Sequence, residues 1–272
     1  MPESATYQGL RGFLMSATDA AILPMAAHPL EDPSTDRFLG TPEVPVDGRR
    51  SRDKNVGVVR TGARANALMK AMVDAGFELT VEKPTPPRLE SLSPSLAASI
   101  KGLYATLGGH DPVSHLRPGS WDLAFEGGLL VELDEQLHFN RYRAAALHED
   151  WTVPLLWRDD YLRYCQDSET ECLADGRWGK RWSNRSCEIM FGPADKPGVL
   201  GSSGSSRWKQ RALYDAIKDA FALSTSGHRV TRLSIYDKIG GFELGVALDR
   251  GVALDSEALA SFIEQRSASA SS

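Results

Sequence analysis

Two spacings of apolar residues run through this chain. Over residues 120–139 the period is two. Trp121, Leu123 and Phe125 alternate with Asp122 and Ala124, then Leu129, Val131 and Leu133 flank Glu132 and Asp134 beyond Gly127-Gly128. That pattern predicts two strands joined by a tight glycine turn. The second run, with Leu130 also apolar, has the composition of a strand buried on both faces. Elsewhere the period is helical. Ala65, Leu68, Met69, Met72 and Val73 predict a helix from Ala63 that stops at Gly76. Ser93 as N-cap and Pro94 at the first helical position open another, with Leu96, Ile100, Leu103, Tyr104 and Leu107 on its inner side. The clearest helix covers residues 207–222, where Trp208, Ala212, Leu213, Ala216, Ile217, Ala220 and Phe221 form one stripe. Arg207, Arg211, Tyr214 and Lys218 fall on another side of it.

Weaker signals complete the outline. Phe77, Leu79 and Val81 alternate with Glu78, Thr80 and Glu82 as a half-buried strand, and residues 230–236 predict another. Residues 140–147 read as a short helix, residues 151–157 as an extended run, residues 242–248 as an edge strand and residues 256–265 as a last helix. Residues 1–60 are expected to be an extended arm, 61–265 a single α/β domain, and 266–272 a disordered Ser/Ala tail. Inside the domain, about 141–206 shows no clean periodicity and predicts an irregular insertion rich in Cys and Trp.

Composition narrows the function. An apolar content of 42% supports a proper core, and a net charge of −5 argues against indiscriminate binding to nucleic acid. Locally the balance reverses: residues 177–211 hold eight Lys and Arg against two acids, a net +6 that suits a phosphate-facing patch as well as a solvated loop. Three cysteines make no disulfide framework and imply a reducing compartment. Asp19 and Pro24 interrupt the apolar stretch at 12–27, so neither a signal peptide nor a membrane span is expected. The expected location is the cytoplasm, with no membrane partner.

The candidate chemistry lies on the strands. Glu132 and Asp134, two apart, project from one face, and Asp122 can join them from the neighbouring strand. Carboxylates gathered beside an apolar layer repel one another unless a cation or a shared proton lies between them. Gln136 and His138 follow at the strand end. Asp122, nine residues, Glu132-x-Asp134 and then His138 resembles the PD-(D/E)XK, or restriction-endonuclease-like, nuclease superfamily, nearest its very-short-patch repair branch. In that family an acidic strand is followed by a helix bearing basic residues and then a strand with an Arg near its start, which residues 207–236 with Arg232 resemble.

The resemblance implies a restriction-endonuclease-like core, a mixed central sheet flanked by helices. It implies a metal-dependent endonuclease that hydrolyses phosphodiesters in nucleic acid, DNA foremost, with Mg²⁺ or Mn²⁺ on Asp122, Glu132 and Asp134. His138 and Gln136 are then candidates to handle or position the attacking water. Asp134 stands where the superfamily has its lysine, and Lys209 is the candidate replacement. Arg181, Arg185, Arg207 and Arg211 are the expected nucleic-acid contacts. Glu90 offers a possible fourth acid. Some relatives in that branch carry structural zinc, for which Cys165, Cys172, Cys187 and His148 are the candidate ligands. Two alternatives stay open: an inactive nucleic-acid-binding module on the same fold, and a carbohydrate-binding or carbohydrate-active protein using clustered tryptophans and a carboxylate pair.

Overall fold

A computed structural model describes residues 62–82, 84–110 and 116–270. Helix α1 (Ala63–Asp74) is followed by Gly76 at a φ of +93°, a backbone angle that glycine alone takes without strain. The predicted strand after it shrinks to one bridge, Leu79 to Phe125, flanked by two further backbone hydrogen bonds. Helix α2 (Pro94–Thr106) starts where its signals place it, with Ser93 Oγ accepting from the Leu96 N–H. Strand β1 (Leu123–Phe125) turns at Gly127-Gly128, both at positive φ, into β2 (Leu129–Asp134), every residue of which is buried. The two pair antiparallel.

The segment expected to be irregular is largely helical. It forms α3 (Arg141–Leu147), α4 (Arg158–Gly176) and α5 (Arg185–Phe191), with a loop thereafter. On α4 only Tyr161, Cys165, Cys172 and Gly176 are buried, a stripe too thin to stand out among its acidic and polar residues. Residues 151–157 form the end of a short 3-10 helix (Asp150–Thr152) and further turns, not an extended run. Helix α6 (Ser206–Ser224), capped by Ser205, crosses back to β3 (Arg229–Ser234), which pairs parallel to β2. Strands β4 (Lys238–Ile239) and β5 (Phe242–Glu243) make a small hairpin. The expected edge strand then becomes α7 (Leu244–Arg250), because Leu244, Ala247 and Leu248 recur at helical spacing. Helix α8 (Ser256–Arg266) closes the domain. Residues 266–270 are not a loose tail: Ala268 bridges Val230. The expected arm at 1–60 lies outside the described residues, as do Ser271 and Ser272.

The result is a mixed α/β fold, a three-stranded sheet of order β1-β2-β3 flanked by helices. One core layer joins Leu123, Phe125, Leu129, Val131 and Leu133 to α1, α7 and α8. Leu130 and Val230 belong to the other layer, beneath α2, α3, α4 and α6. Side chains alternate along β2, so Glu132 and Asp134 share the face of Leu130 and point towards α6. No helix among the described residues is long and apolar enough to cross a membrane.

Candidate active site

Strand register brings the first two acids together. Leu123 pairs with Val131, so Asp122, one residue earlier, stands opposite Glu132. The Asp122 N–H donates to Glu132 Oε1 at 3.2 Å, and the Leu133 N–H donates to Asp122 Oδ2 at 2.9 Å. Both acids line a cavity of about 340 Å³ together with His138, Arg207, Arg211, Tyr214, Asp215 and Lys218. Gly62 and Ala65, at the start of α1, form part of its wall.

A lysine reaches the acids from α6. Lys218 Nζ donates to Glu132 Oε1 at 2.7 Å and to the Ser120 carbonyl at 3.0 Å, and it sits over the Trp121 ring. The sequence placed Lys218 on the right side of the helix without assigning it this role. Lys209 is elsewhere. Nine helical positions make two and a half turns, so it projects from the opposite side of α6, where its Nζ lies over the Tyr142 ring.

Burial pushes the Glu132 carboxyl up to about 8, with the Lys218 ammonium opposing the shift. Burial also raises Asp122, against the Leu133 N–H and Lys218. Among the described residues, Asp122 Oδ1 and Glu132 Oε2 accept no hydrogen bond. Two desolvated carboxylates, each with a free oxygen at an accessible cavity, fit a hard divalent cation that takes oxygen ligands and keeps several waters.

Asp134 does not complete that pair. Its Oδ2 accepts from Arg232 Nη1 at 2.7 Å and from the Tyr161 hydroxyl at 2.9 Å. Its Oδ1 lies 3.0 Å from His138 Nδ1, and Asp215 Oδ2 lies 2.8 Å from the same nitrogen. Among the described residues, Asp134, His138 and Asp215 are the set whose ligand atoms come close enough to enclose an ion; the trio of Asp122, Glu132 and Asp134 is not. Asp134 is drawn away because the buried guanidinium of Arg232 binds it and Asp219 at once. Arg143 grips the other Asp219 oxygen at 2.7 Å. Burial alone raises Asp134, but Arg232 and His138 outweigh it and hold this carboxyl below the usual range. Asp215 is likewise held down: its burial opposes, but His138 and Arg232 outweigh it.

That clamp orients the imidazole. An ionised carboxylate only accepts, so the ring proton sits on Nδ1 and is donated to Asp215 Oδ2, with Asp134 Oδ1 nearby. Nε2 remains for the cavity.

Other expected residues lie apart. Gln136 donates to Asp175 and accepts from Arg64, away from the cavity lining. Arg207 and Arg211 line the cavity, whereas Arg181, between α4 and α5, and Arg185, the first residue of α5, are exposed. Glu90 lines a different cavity. The proposed zinc ligands do not gather among the described residues. Cys165 packs in the main core, Cys172 packs with Trp182 and Trp208, and Cys187 Sγ donates to the Asn184 carbonyl at 3.0 Å. Trp121, Trp157, Trp182 and Trp208 are buried and no tryptophan lines the acidic cavity, which leaves the carbohydrate reading without its stacking faces.

A family model described as a family of unknown function, DUF7255, matches residues 102–250, more than half of the chain. The chain belongs to this family. No curated protein and no solved structure matches it. The DUF7255 match spans Asp122, Glu132, Asp134, His138, Asp215, Lys218 and Arg232, whereas Gly62 and Ala65 fall outside it.

Proposed function

We propose that this DUF7255 protein is a divalent-metal-dependent phosphodiester hydrolase acting on nucleic acid, with a restriction-endonuclease-like core. The observation that carries this reading is one cavity holding Asp122 and Glu132 from paired strands, Lys218 on Glu132, and two arginines along the wall. The chain order also supports it: acidic strand, basic helix, then a parallel strand bearing Arg232, as in the resembled superfamily. DNA is the favoured polymer on that resemblance.

Asp122 and Glu132 would hold Mg²⁺ or Mn²⁺, and the ion would supply Lewis-acid polarisation of the phosphoryl group and a more acidic water. Arg207 and Arg211 bind phosphate oxygens of the strand. Lys218 supplies a fixed positive charge beside the reacting phosphate. His138 exchanges a proton at Nε2 with the attacking water or the leaving oxygen, while Asp215 positions the ring through Nδ1. Incubation of the purified protein with labelled DNA and RNA in Mg²⁺ or Mn²⁺ tests the reading. Cleavage that chelator abolishes is expected. Binding without cleavage in either metal points instead to an inactive nucleic-acid-binding module on the same fold.

Two further outcomes follow from the site. A cation and a proton compete for Glu132, so Mg²⁺ affinity should rise with pH, by up to about tenfold per unit below pH 8, and then level off. Calorimetric titrations from pH 6 to 9 check this, and a flat profile contradicts it. Asp215→Asn should lower turnover about 10²-fold and displace the pH–rate profile, because an amide, which can donate as well as accept, no longer fixes the tautomer of the imidazole. An unchanged profile removes His138 from proton transfer.

A further inference from the structure

We propose that the substrate of this site is an unpaired strand or an unpaired end, with Tyr214 stacking on a base. The inference rests on the hydrolase reading above and adds the form of the polymer to it. Arg207, Arg211, Tyr214 and Lys218 stand at i, i+4, i+7 and i+11 on α6, so they share one face, and all four line the cavity. A row of cations with an aromatic ring between them is the arrangement that tracks a single strand: the cations follow the phosphates and the ring takes a base by stacking, whatever its sequence.

The depth of the acids points the same way. Glu132 is only 4% exposed, at the floor of a cavity whose wall includes the start of α1 and Gly119. About 340 Å³ is near the small end of ligand sites and has room for about one nucleotide. A duplex carries its phosphates on the outside of a stiff stacked cylinder, so a strand must leave the duplex to reach such a floor. The overall charge of −5 argues against indiscriminate binding to nucleic acid, whereas the short basic-aromatic row suits a single strand entering the cavity.

The experiment compares one labelled oligonucleotide as a single strand, as a blunt duplex and as a duplex with an unpaired tail, each with the full chain and Mn²⁺. The single strand and the tail are expected to be cut at least tenfold faster than the blunt duplex. Tyr214→Leu, which keeps apolar bulk and removes the ring, should raise KM for the single strand about tenfold with little change in kcat. Tyr214→Phe should retain the parent KM, and melting curves of both variants establish that they fold. Equal or faster cutting of the blunt duplex overturns this inference and leaves the hydrolase reading standing. An unchanged KM in Tyr214→Leu overturns the stacking role. No cutting of any form in Mn²⁺ or Mg²⁺ overturns the hydrolase reading, and this one falls with it.

Discussion

Glu132→Gln is expected to reduce cleavage by about 10³-fold or more while leaving the fold intact. The amide keeps the shape of the carboxylate, so the Asp122 N–H and Lys218 can still find an oxygen at 3.2 and 2.7 Å. It loses the negative charge, and with it half of the acidic pair that holds a cation at the cavity. Removal of one preorganised electrostatic group typically costs about 10²–10³ in turnover, and loss of a metal-holding carboxylate should reach or exceed the upper end. Asp122→Asn should match it from the neighbouring strand. Lys218→Met should fall short of both, near 10²-fold, because the carboxylates remain. Melting temperatures within a few degrees of the parent would assign these losses to chemistry. A Glu132→Gln protein that cuts DNA at the parent rate excludes Glu132 from the reaction.

Arg232→Met is expected to fail for a different reason. Its guanidinium is fully buried and bridges Asp219, Asp134 and the Asp215 carbonyl at 2.5, 2.7 and 3.1 Å. With it, three carboxylates (Asp134, Asp215 and Asp219) face the two guanidiniums of Arg232 and Arg143. Without it they face one, in a buried region where solvent screening is weak. Stranding a buried charge in this way costs about 3–5 kcal/mol, roughly 6–20 °C in melting temperature for a domain of this size. Arg232→Lys should recover only part of the loss, since an ammonium cannot span the same oxygens as a planar fork. Thermal denaturation measures both. A melting temperature within about 2 °C of the parent for Arg232→Met contradicts the role given to this network.

How much of this was visible in the sequence depended on spacing. The hairpin was legible because a period of two on both sides of Gly127-Gly128 has few other solutions, and its register followed from the turn. Asp122 therefore met Glu132 as expected. Helices α1, α2, α6 and α8 carried caps, stops or full apolar stripes. Helix α4 carried none of these: Trp157 offers no side-chain cap, and its buried face is thin. Residues 242–248 read as one strand because Phe242 and Glu243, which do pair, run directly into α7. At the site, the period-two rule put Asp134 beside Glu132 correctly, but no local pattern could show that Arg232, 98 residues on, would bind Asp134. The same distance hid Lys218, which meets Glu132 across 86 residues. Its place on the Arg207–Arg211–Tyr214 face was the one available signal, and it favoured Lys218 over Lys209.

The most direct test is Mn²⁺ binding followed by electron paramagnetic resonance in the parent, Glu132→Gln and Asp215→Asn proteins. The geometry predicts one Mn²⁺ bound by the parent, lost in Glu132→Gln and kept in Asp215→Asn. Binding that survives Glu132→Gln and disappears in Asp215→Asn would place the ion in the Asp134–His138–Asp215 cluster instead and contradict the site assigned to Asp122 and Glu132.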